Sequence, residues 1–528
     1  MSEQCRNVPL SELVRQHAIK QPQKLAFIEP EWQMNWWEYD QSSNHLANRL
    51  ISSGFCPGDC IAIYLPDGIG LHVALMSAEK AGLVALGIGA KAGLREVEHL
   101  LGVTKAKGLI CLAHYRGKDM AVAFDGFSAS MPFLNIPVLL ETNYFYEKKG
   151  CSTDSRSAFS ERNTQDVFLL NSTSGTTGMP KCVVHDQERW YAFHEEAVKA
   201  AQLSKNDVFF GAAPPPFGFG LWTSHITPTI LGAPTVKLPS FDAELALELI
   251  GSRGVTVLAA VSTQFVMMLN CAGLHQANFT TLRAMFTGGE RVPHRRAVDF
   301  EVHTGAALLQ FYGSNETGAL SKTCLTDTRE KRLSTAGRLL DSMQVRLYDA
   351  DGNDCTDSGF GRPGAKGPLL SRGYFGNDEA NRALYAPDGF MLMDDLVRID
   401  EEGYLQVVGR TGDFVIRGGK NISCAAVEEA VQVHSSVALV AAVSAPDEVF
   451  GEKVMIFVVC HQGCTISLEE LAADFARRQV SRELTPEYLQ IRHDLPRSSG
   501  GKIDKSALRH EAQKFVRNPE WLSPGIDM

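Results

Sequence analysis

Residues 171–181 of the chain have the sequence NSTSGTTGMPK, which contains five hydroxyl side chains, two glycines and a closing lysine. Apolar, strand-like residues stand on both sides, VFLL at 167–170 and CVV at 182–184. Glycines let backbone N–H groups converge on an anion, hydroxyl groups donate further hydrogen bonds, and the lysine adds positive charge. The pattern predicts a phosphate-binding loop between two strands. It is not a Walker A loop, because Gly178 is followed by Met-Pro-Lys.

A flexible Ser/Thr-rich linker is the structural alternative for this loop. The two flanking strand-like runs argue against a linker.

At 528 residues the chain exceeds a single ordinary core, so two or more domains are expected. A hydrophobic content of 44% and a charged content of 21% are typical of a globular protein.

The net charge of −10 argues against binding to nucleic acid or to an anionic membrane through bulk charge. Twelve cysteines without CxxC pairs indicate reduced thiols rather than a disulfide framework or a zinc site. No apolar signal core follows Met1. The most apolar region, 61–90, is interrupted by charges and glycines, so we expect no membrane span and a cytoplasmic protein.

Hydrophobic patterning in the first 90 residues predicts alternating helices and strands. The helices are expected at 9–20 (with Ser11 as N-cap), 39–53 and 70–82, and the strands at 25–28, 60–65 and 84–88. Strands separated by helices of this length indicate parallel β-α units that are covered on both faces.

An aromatic segment, PPPFGFGLW at 214–222, follows a predicted strand at 207–213. Small and aromatic residues in alternation can line a flat apolar slot for a ligand. The same rings could equally pack into the core.

Two further segments place polar groups after predicted strands. Gly288 and Gly289 end the strand at 282–288, where open α/β sheets bind ligands. In the segment ALLQFYGSNETG at 307–318, Tyr312 offers an aromatic face and Glu316 offers a carboxylate oxygen of the kind that Mg²⁺ prefers. A β-turn with a solvated glutamate is the structural alternative.

These segments, in this order, resemble the motifs of the adenylate-forming superfamily, which comprises acyl- and aryl-CoA ligases, luciferases and carrier-protein-loading adenylation domains. YGSNE at 312–316 resembles its Tyr-Gly-x-Thr-Glu motif, with Asn315 in place of threonine. PRSSGGK at 496–502 resembles its terminal Pro-x-x-x-x-Gly-Lys motif, which implies that Lys502 is the catalytic lysine. The segment FGFG looks most like benzoate-type aryl-CoA ligases, with Gly218 where many acyl ligases have histidine.

The resemblance implies roles for individual positions. Glu316 would act in catalysis and hold Mg²⁺, Gly418 and Gly419 would contact CoA, and Gly412 would be the hinge in place of the usual Asp or Lys. The acyl pocket would be lined by Phe217, Phe219, Gly288, Gly313 and Ser314. ATP would be bound by Thr173, Ser174, Gly175, Thr176, Thr177, Gly178, Lys181, Gly288, Gly289, Tyr312, Gly313, Asn315, Asp395, Arg410 and Lys502.

The implied fold is α/β, with a large N-terminal domain of mixed sheets and helices and a smaller mobile α+β C-terminal domain. We expect the adenylation domain, with the acid and ATP sites, at 1–409. The C-terminal domain with Lys502 would span 410–528, and the hinge would lie at about 410–412.

The implied reaction activates a carboxylic acid with ATP and Mg²⁺ to acyl-AMP and then transfers the acyl group to CoA. An aryl or alicyclic acid is favoured over a long chain. Loading of a carrier-protein phosphopantetheine, medium-chain fatty acyl-CoA ligation, luciferase-type oxidation and non-catalytic acyl-nucleotide binding are the alternatives. The expected partners are a small carboxylic acid and CoA or a carrier protein, with no nucleic acid, and a homodimer is left open.

Overall fold

A computed structural model describes residues 8–145, 162–172, 179–289, 292–410, 413–417, 420–447, 449–497 and 503–517. These residues form a large N-terminal α/β part followed by a smaller C-terminal α+β part. The predicted fold class is confirmed, while the boundary between residues 409 and 410 stays a prediction.

The strands are numbered here in chain order. Those of the large part are β1 (Leu25–Ile28), β2 (Gln33–Asn35), β3 (Cys60–Tyr64), β4 (Val84–Gly87), β5 (Gly108–Leu112), β6 (His114–Tyr115), β7 (Lys118–Asp119), β8 (Ile136–Leu140), β9 (Leu169–Ser172), β10 (Cys182–His185), β11 (Phe209–Gly211), β12 (Thr235–Val236), β13 (Val257–Ala259), β14 (Ala284–Gly288), β15 (Ala307–Ser314), β16 (Gly318–Lys322), β17 (Arg338–Leu339), β18 (Gln344–Tyr348), β19 (Phe360–Lys366), β20 (Met391–Leu392), β21 (Asp395–Ile399) and β22 (Leu405–Arg410). Those of the small part are β23 (Phe414–Arg417), β24 (Lys420–Ser423), β25 (Val437–Asp447), β26 (Gly451–Cys460) and β27 (Tyr488–Ile491).

The helices follow the same convention. They are α1 (Leu10–Lys20), α2 (Trp36–Ser52), α3 (Ile69–Lys80), α4 (Leu94–Thr104), α5 (Met120–Ser130), α6 (Gln187–Ala201), α7 (Gly218–Leu221), α8 (Thr227–Leu231), α9 (Ala243–Ser252), α10 (Ser262–Leu269), α11 (His294–Thr304), α12 (Arg329–Ser334), α13 (Asp378–Ala383), α14 (Cys424–Gln432), α15 (Leu468–Arg477) and α16 (Lys505–Arg517). A π-helix, Trp222–Ile226, joins α7 to α8.

Two largely parallel sheets organise the large part. Within the described residues, the first sheet has the order β17-β16-β15-β14-β13-β11-β12-β1-β2 and the second β10-β9-β4-β3-β5-β8. Strand β3 pairs in parallel with β4, as the alternating pattern of the first 90 residues predicts, and it also pairs in parallel with β5. A third, antiparallel sheet is built from β18 to β22.

Helix α3 is buried at every position except Gly70 and packs against α1, α2, β3 and β4. A helix that is apolar around most of its circumference must be covered on all sides, which favours a central position in the core. Its last residue, Lys80, is buried with Asp40 of α2, and the Nζ–Oδ1 distance is 2.7 Å. The ammonium group also donates to Ser43 Oγ and Asn44 Oδ1, at 2.8 Å each, so the buried charge is well satisfied.

The carboxyl ends of the two sheets come together around a proline loop. A Cβ atom on Gly87, at the end of β4, would lie 2.2 Å from Cβ of Pro216, which follows β11 of the other sheet. Only glycine therefore allows this close approach. Asn171 near the end of β9 also donates its side-chain amide to Pro216 O at 3.1 Å. The residues that follow these strands consequently lie in one region between the sheets.

The small part has one sheet, with the order β24-β23-β26-β25 and β27 beside β26 in the described residues. Helices α14 and α15 cover one face, and α16 covers the other. Ser423 donates its hydroxyl to Val408 O at 3.2 Å, and Arg295 of α11 donates to Val433 O at 2.9 Å. These contacts join the small part to the large one.

Two sequence predictions differ from the structure. Ser11 is not the N-cap of α1, because the helix begins at Leu10 and the backbone N–H of Ser11 donates to the Glu79 carboxylate at 2.7 Å. The sequence of the small part also predicts a helix at about 468–483, but α15 ends at Arg477, since Gln479 adopts a left-handed conformation with a φ of 56°. Such a residue interrupts a right-handed helix.

The described cysteines are all free, which agrees with the prediction of reduced thiols. No helix in the described part of the chain combines the length and apolar character needed to cross a membrane.

We predict that Lys80→Met lowers the free energy of unfolding by about 3–5 kcal/mol, because it leaves the Asp40 carboxylate buried without its cation. Chemical denaturation followed by circular dichroism measures this loss. The matched control is Lys199→Met, since the Lys199 side chain is 66% exposed and its partner Glu196 keeps Lys322. The control should change stability by only about 0–1 kcal/mol. If both substitutions lowered the free energy of unfolding equally, the Lys80–Asp40 pair would contribute no more to stability than an exposed ion pair.

Candidate active site

Glu316 lies in the tight turn between β15 and β16. The hydroxyl of Ser314 accepts hydrogen bonds from the backbone N–H groups of Glu316 and Thr317, at 3.2 and 3.1 Å. A Cβ on Gly313 would lie 1.8 Å from Gly318 O, so glycine is required where the hairpin closes. The Ser314 hydroxyl is thus used to hold the turn, and its predicted place in the acyl pocket stays a prediction.

The Glu316 carboxylate is connected to the end of the 171–181 stretch through Tyr374. The Tyr374 hydroxyl donates to Glu316 Oε1 at 2.8 Å, and Lys181 Nζ lies 4.8 Å from the centre of the Tyr374 ring. An antiparallel bridge between Val183 and Tyr374 holds the tyrosine beside β10. The motifs identified in the sequence do not single out Tyr374 as a site residue. Nothing in its neighbourhood of the sequence indicated the contact, which joins positions 58 residues apart.

A reciprocal pair of amide side chains links the two sheets beneath this turn. Asn315 Nδ2 donates to Asn171 Oδ1 at 2.6 Å, and Asn171 Nδ2 lies 3.3 Å from Asn315 Oδ1. Asn171 belongs to β9, whereas Asn315 directly precedes Glu316. The predicted metal-binding residue is therefore fixed to the strand that leads into the predicted phosphate loop.

His185 and Arg189 extend this network into the interior. Arg189 Nη1 donates to His185 Nδ1 at 2.7 Å and to Asn315 O at 3.1 Å. Because a guanidinium group can only donate, His185 Nδ1 must accept, and the ring proton is placed on Nε2. That proton is directed at Asn171 Oδ1, 2.7 Å away.

Burial sets the protonation states of this chain of side chains. It lowers the pKa of His185 well below its usual value, and the charge of Arg189 lowers it further. Burial also lowers the pKa of Arg189 to about 10, against the opposing influence of Asp186 and Glu316. At neutral pH the network consequently consists of a neutral histidine and a buried cation.

The predicted nucleotide residues Tyr312 and Asp395 are in direct contact. The Tyr312 hydroxyl donates to Asp395 Oδ2 at 2.9 Å, and Asp395 is buried. Arg410 stands directly opposite Asp395 in the β21–β22 ladder, although its side chain is not among the described ones. The structure thus brings three predicted ATP-binding positions together, and one of them, Tyr312, lies on the strand that leads into the Glu316 turn.

Glycines border the predicted acid pocket. A Cβ on Gly288 would lie 2.5 Å from Phe311 O and 3.9 Å from the Phe219 ring. A Cβ on Gly218 would lie 2.8 Å from Asn315 Oδ1. Neither position has room for a side chain, so in the predicted pocket this part of the wall, here called the glycine wall, would be formed by backbone. Phe217 and Phe219 flank Gly218 and are half-buried, while Gly289 is exposed.

Two buried hydroxyl groups at the strand ends are not satisfied by the protein. Within the part of the chain that the structure describes, Ser172 Oγ at the end of β9 and Thr287 Oγ1 beside Gly288 have no hydrogen-bond partner. Buried polar atoms are usually paired, so unpaired ones at the carboxyl edge of the sheets are consistent with a polar ligand there.

The side chains also fit the Mg²⁺ ion that the sequence leads us to expect. Among the described residues, Glu316 Oε2 has no protein partner, which leaves a carboxylate oxygen for a hard cation. The same residues contain no group of three or more His, Cys, Asp or Glu side chains suited to a metal. One carboxylate together with substrate phosphates is a common way for proteins to bind Mg²⁺.

Several predicted site residues lie outside the described residues: Thr173, Ser174, Gly175, Thr176, Thr177, Gly178, Gly412, Gly418, Gly419 and Lys502. The segment that contains Lys502 is flanked by Arg497 and Ile503, which form an antiparallel bridge. In the sequence, Gly418 and Gly419 follow β23 and precede β24, and these two strands pair with each other.

Comparison with known proteins gives matches over nearly the whole chain. The chain is 30% identical to a salicyl-AMP ligase / salicyl-S-ArCP synthetase of Mycobacterium tuberculosis, over 90% of this chain and 85% of the relative. It is 26% identical to a medium-chain fatty-acid–CoA ligase of Escherichia coli, over 96% of this chain and 90% of the relative.

The fold is likewise found in solved structures. An anthranilate CoA ligase in complex with anthranoyl-AMP matches with a TM-score of 0.87 and 20% sequence identity, covering 97% of this chain and 98% of that chain. The model of the AMP-binding enzyme family matches residues 14–375, and that of the AMP-binding enzyme C-terminal domain matches residues 426–502. The chain belongs to the AMP-binding enzymes, the adenylate-forming ligases that activate acids with ATP.

Proposed function

We propose that the chain is an AMP-forming carboxylic acid–CoA ligase whose acid is aryl or alicyclic. The observation that carries the proposal is the position of Glu316. Its carboxylate accepts a hydrogen bond from Tyr374, whose ring centre lies 4.8 Å from Nζ of Lys181 at the end of the predicted phosphate loop. The strand that leads into the Glu316 turn carries Tyr312, which donates to Asp395. Phosphates, metal and ribose would thus be held by residues grouped around the end of β15.

In the first half-reaction a carboxylate oxygen of the acid attacks the α-phosphorus of ATP. A new P–O bond forms the acyl-AMP, and the bond to pyrophosphate breaks. Mg²⁺ held by Glu316 would supply the charge that neutralises the phosphates. Residues 171–181 clamp the departing β- and γ-phosphates, and Lys502 bridges the carboxylate and the α-phosphate, where charge develops.

In the second half-reaction the CoA thiolate attacks the carbonyl carbon of acyl-AMP. The thioester bond forms and AMP leaves. The C-terminal domain, residues 410–528, turns about Gly412, withdraws Lys502 and brings Gly418 and Gly419 to the pantetheine arm. Glycine at the pivot allows a wide range of backbone angles, which suits a hinge.

Residues beside the pocket support a flat, compact acid. Gly288 and Gly218 form a wall without side chains, and Phe219 presents a half-buried ring to the same region. The salicyl-AMP ligase relative, named for an aryl acid, points the same way. The medium-chain fatty-acid ligase relative points to a linear acid instead, so the substrate has to be determined by assay.

Loading of a carrier protein is the second candidate function. The name of the salicyl-AMP ligase relative includes synthesis of an aryl-carrier-protein thioester, and that relative shares 30% identity with this chain. The first half-reaction is the same in both cases. Only the source of the phosphopantetheine thiol differs.

Pyrophosphate release with a panel of aryl, alicyclic and fatty acids tests the proposal. We expect kcat/KM for the best aryl or alicyclic acid to exceed that for octanoate by about tenfold or more, because the latter fits a flat pocket poorly. Thioester formation with free CoA should follow. Transfer to a carrier protein alone would favour the second candidate, and failure of every acid would overturn the proposal.

For Lys502→Ala we expect acid-dependent ATP–pyrophosphate exchange to fall by roughly 10²–10³, because one positioned cation is lost from the site of developing charge. Lys514→Ala is the control, since Lys514 is an exposed lysine of α16 and should leave exchange unchanged. If Lys502→Ala kept normal exchange but failed to convert purified acyl-AMP to the thioester, the lysine would belong to the second step.

For Tyr374→Phe we expect the KM for Mg·ATP to rise by about tenfold or more, because the Glu316 carboxylate loses a charge-assisted hydrogen bond. Initial-rate kinetics with varied Mg·ATP measure this rise. Tyr348→Phe is the matched control, because Tyr348 donates to Asp388 at 2.8 Å in a tyrosine–carboxylate contact of the third sheet. A similar rise in both variants would show that the effect of Tyr374 is not specific to Glu316.

A further inference from the structure

Aromatic rings close the interior behind the acid pocket. Trp222 has its ring centroid 5.0 Å from that of Phe193, 5.0 Å from Phe286 and 5.3 Å from Phe311. Phe219 meets the same indole edge to face at 5.7 Å. We call the rings of Phe193, Phe219, Trp222, Phe286 and Phe311 the aromatic floor.

The aromatic floor lies directly against the predicted acid site. Phe311 stands opposite Gly288 in the β14–β15 ladder and precedes Tyr312. The Phe219 ring lies 3.9 Å from the Cβ position of the same glycine. Two members of the aromatic floor therefore contact Gly288, a predicted residue of the acid pocket.

Accessibility changes abruptly across the floor. Phe219 is half-buried, whereas Trp222 is 2% exposed and Phe286 is fully buried. Trp222, which contacts Phe219 edge to face, is therefore the first fully enclosed ring behind the partly accessible one.

Local structure explains why Trp222 fills this position. It is the first residue of the π-helix Trp222–Ile226, and π-helical turns occur often at functional sites. The hydroxyl of Thr223 donates to Phe219 O at 2.8 Å and braces the turn. The indole is thereby directed between α6, which carries Phe193, and the two strands that carry Phe286 and Phe311.

We propose that Trp222 is a specificity-determining residue that limits the acid to a single ring. The inference rests on the proposed function and makes its substrate class narrower. Monocyclic aryl or alicyclic acids fit above the indole, while medium-chain linear acids and extended bicyclic acids collide with it. Close-packed protein interiors are not easily deformed. Such an acid would therefore have to displace several rings of the aromatic floor that pack against one another.

The test compares Trp222→Leu with the wild type, using benzoate and octanoate in the pyrophosphate-release assay. Leucine keeps the site apolar but removes the indole and deepens the pocket. We expect the octanoate-to-benzoate ratio of kcat/KM to rise by about tenfold or more, as for gains and losses of a few methylene groups in apolar pockets. An unchanged ratio, or a wild type that already prefers octanoate, overturns the proposal.

Trp36→Leu is the matched control. Trp36 is 1% exposed, and it packs against His17 and Tyr39 in a different part of the core. Trp36→Leu should lower the stability of the protein as Trp222→Leu does, without altering the octanoate-to-benzoate ratio of kcat/KM. A ratio shift of equal size in this variant would mean that general loosening, and not pocket depth, changes the selectivity. Trp222→Phe, a milder substitution, should give a smaller shift in the same direction and replaces Trp222→Leu if the latter does not fold.

A binding measurement separates this inference from the proposed function. Benzoyl- and octanoyl-sulfamoyl adenosine imitate acyl-AMP and need no turnover, so calorimetry reports pocket depth directly. We expect wild type to bind the benzoyl analogue more tightly and Trp222→Leu to narrow or reverse the difference. If no acid releases pyrophosphate but this binding pattern is found, the proposed reaction fails and the role of Trp222 stands. Equal binding of both analogues by wild type, or binding of neither, overturns the role of Trp222.

Discussion

Asn171 and Asn315 exchange hydrogen bonds across the boundary between two sheets, and the other site residues are arranged around this pair. One asparagine is on β9 of the second sheet, and the other follows β15 of the first. The site exists only where the carboxyl ends of both sheets face each other. Gly87, at the end of the neighbouring strand β4, also helps to bring the two sheet ends together. Because it has no side chain, Pro216 can occupy the space that a Cβ atom would take.

The buried guanidinium group of Arg189 fixes the direction of the hydrogen bonds around the Asn171–Asn315 pair. Arg189 donates to the carbonyl oxygen of Asn315 and, through His185, orients the Asn171 amide. Since the guanidinium group has no acceptor atoms, every hydrogen bond of the chain has one direction only. Asn315 replaces the threonine of the family motif, and its amide can both donate and accept, which the reciprocal pairing with Asn171 requires. We regard this departure as matched to the network beneath it.

The order of the motifs was sufficient to predict the fold class and the family, while the roles of the residues around Glu316 stay predictions. Parallel β-α units follow from the alternation of helices and strands, and glycines at 288 and 313 follow from the motifs. The roles of Tyr374, His185 and Arg189 could not be predicted. The contact of Tyr374 with Glu316 joins residues that are far apart in the sequence, and the contact between His185 and Arg189 depends on the directions of their side chains, which the sequence does not give. The same holds for Trp222, since the sequence showed an aromatic segment but not which ring closes the pocket. Ser11 was misassigned as a cap because Glu79, distant in sequence, satisfies the first turn of α1.

The pairing of Asp395 with Arg410 has a mechanical consequence. These residues form the last rung of the antiparallel ladder between β21 and β22, and the chain passes from that rung directly towards residue 412. Ladders open from their ends, where the fewest neighbouring hydrogen bonds resist separation. A nucleotide bound at Asp395 would make the end of the β21–β22 ladder, from which the chain continues to the C-terminal part, harder to open. Release of the nucleotide would make it easier to open. If the proposed function holds, nucleotide binding at Asp395 and rotation of the C-terminal part would be coupled at this pair of backbone positions.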